Sequence, residues 1–261
     1  MEKLPARTGW LWVTQGFALF RKQPGGLSTL FLAGMLLMLV TRIVPLLGQF
    51  LPMLLAPVFS VALLQACIHI EQGKRVFPNL LMSGLRSPAL PMLLALGLLY
   101  LAAAALAMAG SALADGGVLW QLMTGQIDVQ SDEVRDANVG SAILLGMALY
   151  LPAAMAFCFA APLIYLQNMG VGKAVFFSFF AVLRSFKAFV VFAASWIGIS
   201  ILISQLLLLV LGSTTLAIQL MMPLSVVLTI ILHCGFYASY CQVFGSPAAP
   251  RRGVSLDKPA P

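Results

Sequence analysis

Residues 26–75 read GLSTLFLAGMLLMLVTRIVPLLGQFLPMLLAPVFSVALLQACIHIEQGKR, and between Gly26 and Ile70 the only formally charged residue is Arg42. The stretch divides at Gly48-Gln49-Phe50 into two apolar runs, 26–47 and 52–71. A helix rises ~1.5 Å per residue, so each run can cross a hydrocarbon core of ~30 Å. The runs are continuously apolar rather than alternating, which selects helices over barrel strands. A turn this short makes the pair an antiparallel hairpin.

Outward from this hairpin the pattern recurs at 88–113, 139–167, 188–211 and 216–241. The expected fold is an all-α membrane protein with six transmembrane helices. Composition agrees: 61% of the 261 residues are hydrophobic and 9% are charged, against ~25% charged in soluble domains. One polytopic domain is expected over 1–244. A tail at 245–261, rich in Pro, Ser and charge, is expected to be disordered. The first run follows a polar-aromatic segment and is too long for the apolar region of a cleaved signal peptide.

The charges set an expected orientation. Thirteen of the 15 basic residues fall before the first run, after it on alternate connections, or in the tail, and only Arg42 and Arg135 fall on the opposite side. The positive-inside rule then places both termini in the cytoplasm. The net charge of +7 sits in short clusters beside apolar runs, without the basic stripe of a nucleic-acid reader. Membrane lipids are the expected partners, with other membrane proteins or a second copy as further candidates, and no nucleic acid.

An internal repeat is expected. Amphipathic segments precede the odd-numbered runs: Trp10, Val13, Phe17 and Phe20 before Arg21-Lys22; Phe77, Leu80, Leu81 and Leu85 before Arg86; Phe176, Phe179, Phe180 and Leu183 before Arg184. Their spacing places apolar residues on one face, as in helices lying in the cytoplasmic interface. Each even run carries a proline, with Pro57, Pro162 and Pro223 at related places. The units span about 8–71, 76–167 and 174–241, as three surface-helix-plus-hairpin repeats.

Polar residues inside the runs are few, and ionisable groups in a bilayer are functional candidates. The candidates are Arg42, Gln65, His69, Glu71, Gln205, Gln219 and His233. Arg42 reads first as a residue reaching outer headgroups or Asp115, and Glu71 as a partner for Lys74 or Arg75 at the inner interface. Cys67, Cys158, Cys234 and Cys241 form no CxxC pattern and read as free buried thiols. Cys67 and His69, two apart, point to different helix faces, so no metal site is expected. Asp128, Asp132, Glu133 and Asp136 read as a solvated acidic loop. The stretch 118–123 in the same loop is expected in the outer interface, with Trp120 at headgroup level. No nucleophile-elbow, zincin, phosphate-loop or dinucleotide motif occurs. No cofactor and no enzymatic activity are expected.

Thr8-Gly9-Trp10, the run from Gly16 to Pro24, and Leu113-Ala114-Asp115-Gly116-Gly117 together resemble an uncharacterised family of bacterial inner-membrane proteins. The helix-plus-hairpin units are more distantly similar to the membrane domain fused to glycerophosphodiester phosphodiesterases. The resemblance implies an inner-membrane address and transfers no functional residue. Two functions follow as expectations. One is a non-enzymatic scaffold, assembly or envelope-homeostasis component with a dry, leucine-packed axis. The other is a transporter or channel for a small or lipidic substrate, with Gln65, His69, Gln205, Gln219 or His233 converging on a cavity.

Overall fold

The structure is a computed structural model and describes residues 4–44, 47–131, 133–134, 137–212 and 214–247. The tail beyond Pro247, with Arg251, Arg252 and Lys258, lies outside the described residues, as do Lys3, Asp132, Arg135, Asp136 and Ser213. Among the described residues the secondary structure is helical, without strands.

Six helical stretches are long and apolar enough to cross a membrane. They are α2 (Pro24–Thr41), α3 (Leu51–Glu71), α5 (Leu90–Asp115), the pair α7 (Val139–Phe157) and α8 (Ala160–Gln167), α10 (Phe186–Leu211) and α11 (Thr214–Phe244). The amphipathic elements are α1 (Arg7–Lys22), a 3-10 turn (Pro78–Leu81) running into the one-turn α4 (Met82–Leu85), and α9 (Val171–Arg184). A short α6 (Val118–Met123) sits in the long loop. The Asp115 carboxylate accepts from the N–H groups of Gly117 (2.9 Å) and Leu119 (2.7 Å), capping the entry to α6. Trp120 is 48% exposed.

The fourth span keeps its expected bounds, and its helix is broken at Cys158-Phe159, where Pro162 has no N–H for the Cys158 carbonyl. Two expectations need correction. The first span stops at Thr41 instead of 47, where Arg42, Ile43 and Val44 donate to Leu39, Val40 and Thr41 in tighter turns. The second amphipathic segment is no continuous surface helix. Pro78 starts it as a 3-10 turn, and it closes after Leu85, just before Ser87-Pro88.

The amphipathic elements leave much of their aromatic face exposed and bury the opposite side. In α1, Trp10 is 52% exposed, while Thr8, Gly9, Trp12, Val13, Gly16 and Leu19 are buried. In α9, Phe176, Phe177, Phe180 and Leu183 are exposed, while Ala174, Ser178, Ala181 and Val182 are buried. Glycine, alanine and serine on the inner faces let the backbones approach closely, which favours helix association in lipid, and larger side chains such as Trp12 and Val13 fill the space between them. The aromatic side chains Trp10, Phe176, Phe177 and Phe180 are left on the outer faces.

Each amphipathic element packs on a different hairpin. The Pro78–Leu85 segment packs on α2 and α3, α9 on α7 and α8, and α1 on α10 and α11. A methyl group at Gly16 would lie 2.8 Å from the Ile231 carbonyl oxygen and 2.9 Å from the Gly235 nitrogen, and one at Gly9 would collide with the Ala188 carbonyl. Trp12 is fully buried between them. Its ring lies 5.0 Å from Phe189 and 5.9 Å from Phe192. Its Nε1–H donates to Gln242 Oε1 at 2.6 Å.

The buried residues form clusters toward the basic ends of the spans. Leu27, Leu30, Leu63, Cys67, Ile70 and Ile230 centre one; Leu93, Leu96, Phe159, Leu163 and Ala181 another; Trp12, Phe192, Trp196 and Ile231 a third. Toward the other end the helices present Leu36, Leu39, Leu106, Leu202, Leu209 and Met222, each at least half exposed. That is the surface lipid tails require.

Candidate functional site

The break between α7 and α8 shapes the centre of the molecule. In an unbroken helix the Phe159 N–H would donate to the Met155 carbonyl. Here the Ser178 hydroxyl of α9 stands between them, accepting from Phe159 N–H at 2.9 Å and donating to Met155 O at 3.0 Å. Ser178 is fully buried. An inserted side chain of this kind is a recognised cause of helix kinks. The kink leaves Phe157, Cys158 and Phe159 along the wall of a cavity.

That cavity has a volume of about 350 Å³ and lies between the three proline-bearing return spans. Ser60, Leu63 and Leu64 of α3, Ala154 of α7, Pro162 of α8 and His233 of α11 mark its sides. Tyr100, Tyr150, Tyr237 and Tyr240 also line it. The fifth of the five tyrosines, Tyr165, accepts a bond from Gln65 Nε2 at 2.9 Å. The lining is chiefly aromatic and aliphatic, with a few hydroxyls and one imidazole, a pattern that suits a small apolar ligand.

His233 Nδ1 lies 2.8 Å from the Thr229 carbonyl oxygen. A carbonyl only accepts, so Nδ1 donates, and in the neutral ring Nε2 is then an acceptor. The ring stacks edge-on against Phe31 at 6.1 Å. Tyr100 donates to the Phe157 carbonyl at 3.4 Å, and Gln167 Nε2 donates to the Tyr240 hydroxyl at 3.2 Å.

A second pocket of about 440 Å³ opens at the basic end, between α1, the end of α3 and α11. Gln15, Lys22, Glu71, Tyr237, Cys241 and Gln242 supply its polar atoms. Tyr237 lines both cavities. Its hydroxyl donates to Glu71 Oε2 at 2.6 Å, and Ser246 Oγ donates to the same oxygen at 3.2 Å.

The structure thus brings His233 to the central cavity and Glu71 to the pocket beneath it. Gln65 lies half-buried between α3 and α8, and His69 is half-buried at the basic end of α3. Gln205 of α10 and Gln219 of α11 are exposed on the outside of the bundle. Arg42 is exposed at the end of α2, beside a groove with Met35, Leu39, Pro52 and Phe59. Cys67 and Cys234 meet across the α3–α11 contact, Sγ to Sγ 3.9 Å. The tyrosines were not singled out from sequence. The available signal was the mid-span position of Tyr100 and Tyr150, since membrane tyrosines favour the interfaces.

These features define a polytopic α-helical membrane protein with a central intramembrane cavity. The chain is 38% identical, over 266 aligned residues covering 98% of each protein, to a probable inner membrane protein of Burkholderia thailandensis. It belongs to the family of that protein. No known family profile matches the chain, and no solved structure matches it.

Proposed function

We propose that this protein sits in the bacterial inner membrane with its basic end and both termini in the cytoplasm. In this reading it takes up a small apolar or lipidic molecule between α3, α7–α8 and α11 and passes or presents it without covalent chemistry. The carrying observation is the cavity of about 350 Å³ bounded by the three proline-bearing spans. Its lining offers hydroxyls and an imidazole but no carboxylate or lysine among the described residues. The cavity favours this reading over the leucine-packed axis expected of a scaffold. The threefold repeat and the distant kinship to the membrane domain of glycerophosphodiester phosphodiesterases belong to the same proposal. The repeat is supported by the way the amphipathic elements each take one hairpin, in every case a hairpin other than the one that follows in the same unit.

The test is photolabelling of the detergent-purified protein with a short alkyl diazirine. Label is expected on Tyr150, Ala154 or Phe157 and should disappear in Ala154→Trp, which fills the cavity. Labelling of the lipid-facing Leu36 and Leu39 should persist. Undiminished cavity label in Ala154→Trp overturns the reading.

A second reading, a scaffold for other membrane proteins, rests on α10, none of whose residues from Ile197 to Leu211 is buried. His233→Leu separates the two. A scaffold keeps its cellular activity in that variant, and loss of activity at normal expression counts against it.

A further inference from the structure

Two cavities share one tyrosine. The Tyr237 ring lines the apolar cavity within the membrane and the polar pocket at its basic end, and its hydroxyl is held by Glu71 inside the polar pocket. The two spaces differ in chemistry in the way that the two ends of a phospholipid differ. The upper one offers aromatic and aliphatic walls. The lower one holds one carboxylate, one ammonium and two amides, from Glu71, Lys22, Gln15 and Gln242. It lies where the spans end and the lysines and arginines begin, at the depth of lipid headgroups.

We propose that the two cavities form one site for an amphiphile whose headgroup joins a primary ammonium to a phosphate diester. This deepens the proposed function and rests on it. Glu71 accepts from the ammonium, Lys22 pairs with the phosphate, and a chain enters the central cavity past Tyr237. A carboxylate can accept about four hydrogen bonds, and Tyr237 and Ser246 use two, both on Oε2. Capacity for an N–H donor therefore remains. The pocket carries one charge of each sign, which disfavours a purely anionic headgroup. A quaternary ammonium has no N–H to donate to the carboxylate, which disfavours choline. An ammonium bound at Oε1 draws negative charge from Oε2 and loosens the Tyr237 hydroxyl there, so headgroup capture and access to the upper cavity are linked through one carboxylate.

The experiment is lipid retention through stepwise delipidation of the full chain. Phosphatidylethanolamine, phosphatidylcholine and phosphatidylglycerol are supplied in equal amounts, and bound lipid is counted by mass spectrometry. Wild type should retain phosphatidylethanolamine preferentially. Glu71→Gln, which keeps an acceptor for Tyr237, should lose that preference about tenfold, as expected for a charge-assisted bond. Lys22→Gln should weaken retention of phosphatidylethanolamine. Tyr237→Phe, which frees the carboxylate and keeps the ring, should retain it at least as well as wild type. If Tyr237→Phe loses the preference as Glu71→Gln does, Glu71 serves only to anchor the tyrosine and the proposal is overturned. Equal retention of the three lipids by wild type overturns it too. So does soluble glycerophosphoethanolamine competing as strongly as the lipid, because the chain then contributes nothing. The diazirine label at Ala154 is read in the same Glu71→Gln protein. Label present with no change in lipid preference refutes only the headgroup assignment, whereas label absent from wild type refutes the underlying cavity reading.

Discussion

Replacing Ser178 by alanine removes a hydroxyl that completes the backbone hydrogen bonding of another helix. In the native protein that hydroxyl accepts from Phe159 N–H at 2.9 Å and donates to Met155 O at 3.0 Å, at a site without solvent exposure. If the backbone stays kinked, one N–H and one carbonyl are left unpaired in an apolar setting. Each costs ~1–3 kcal/mol. Partial recovery of the direct bond from Phe159 to Met155 reduces the sum, so ~2 kcal/mol is a reasonable net value. For a chain of this size that corresponds to a fall of roughly 4–8 °C in melting temperature. Unfolding from detergent is often irreversible, so the comparison is made at one fixed scan rate. If instead the helix straightens and remakes its own bond, stability is spared, but Phe157 and Phe159 move and the cavity changes. Diazirine labelling of Ala154 then falls. Ser178→Thr keeps the hydroxyl and should retain wild-type labelling. A Ser178→Ala protein with unchanged melting and unchanged labelling would show that the inserted hydroxyl does not hold the break open.

Three further outcomes are expected. Iodine should join Cys67 to Cys234, whose sulfurs are 3.9 Å apart and need only a small side-chain rotation to reach the ~2.05 Å bond; a peptide linked instead through Cys158 contradicts the α3–α11 contact. Gly16→Leu forces a side chain against the backbone of Ile231 and Gly235, at a cost of ~1–3 kcal/mol. It should make a cysteine at the buried position 8 reactive to maleimide in a Thr8→Cys background, and continued protection there contradicts the close α1 docking. For orientation, a membrane-impermeant maleimide added to whole spheroplasts should label Gln126→Cys and spare Gln72→Cys; the reverse pattern inverts the proposed topology.

Much of the architecture was legible because lipid imposes length and continuity on a sequence. Five of the six spans began and ended within about three residues of where hydropathy put them. The first span misled because hydropathy is blind to the tightening of the backbone turns at Arg42, Ile43 and Val44. In the amphipathic elements the exposed aromatic face, with Trp10 and Phe176, was legible, and the inner face was not. In lipid the tight contacts fall to small residues, and Gly9, Gly16, Ala174 and Ala181 took the inner face. The site was half visible. His233 and Glu71 stood out as costly groups in an apolar run. Tyr237 and Ser178 did not, because a tyrosine or serine in a membrane helix is cheap until its partner from a distant segment is known.

The docking of α1 on α10 and α11 carries a consequence for biosynthesis. Residues 7–22 are made well before the surface that receives Trp12, which is built from residues 188 to 242. Throughout translation this nascent segment must wait beside the bilayer, its glycine-lined side bare. Only when the α10–α11 hairpin is inserted can it settle, so closure of the bundle waits on the synthesis of everything between the two.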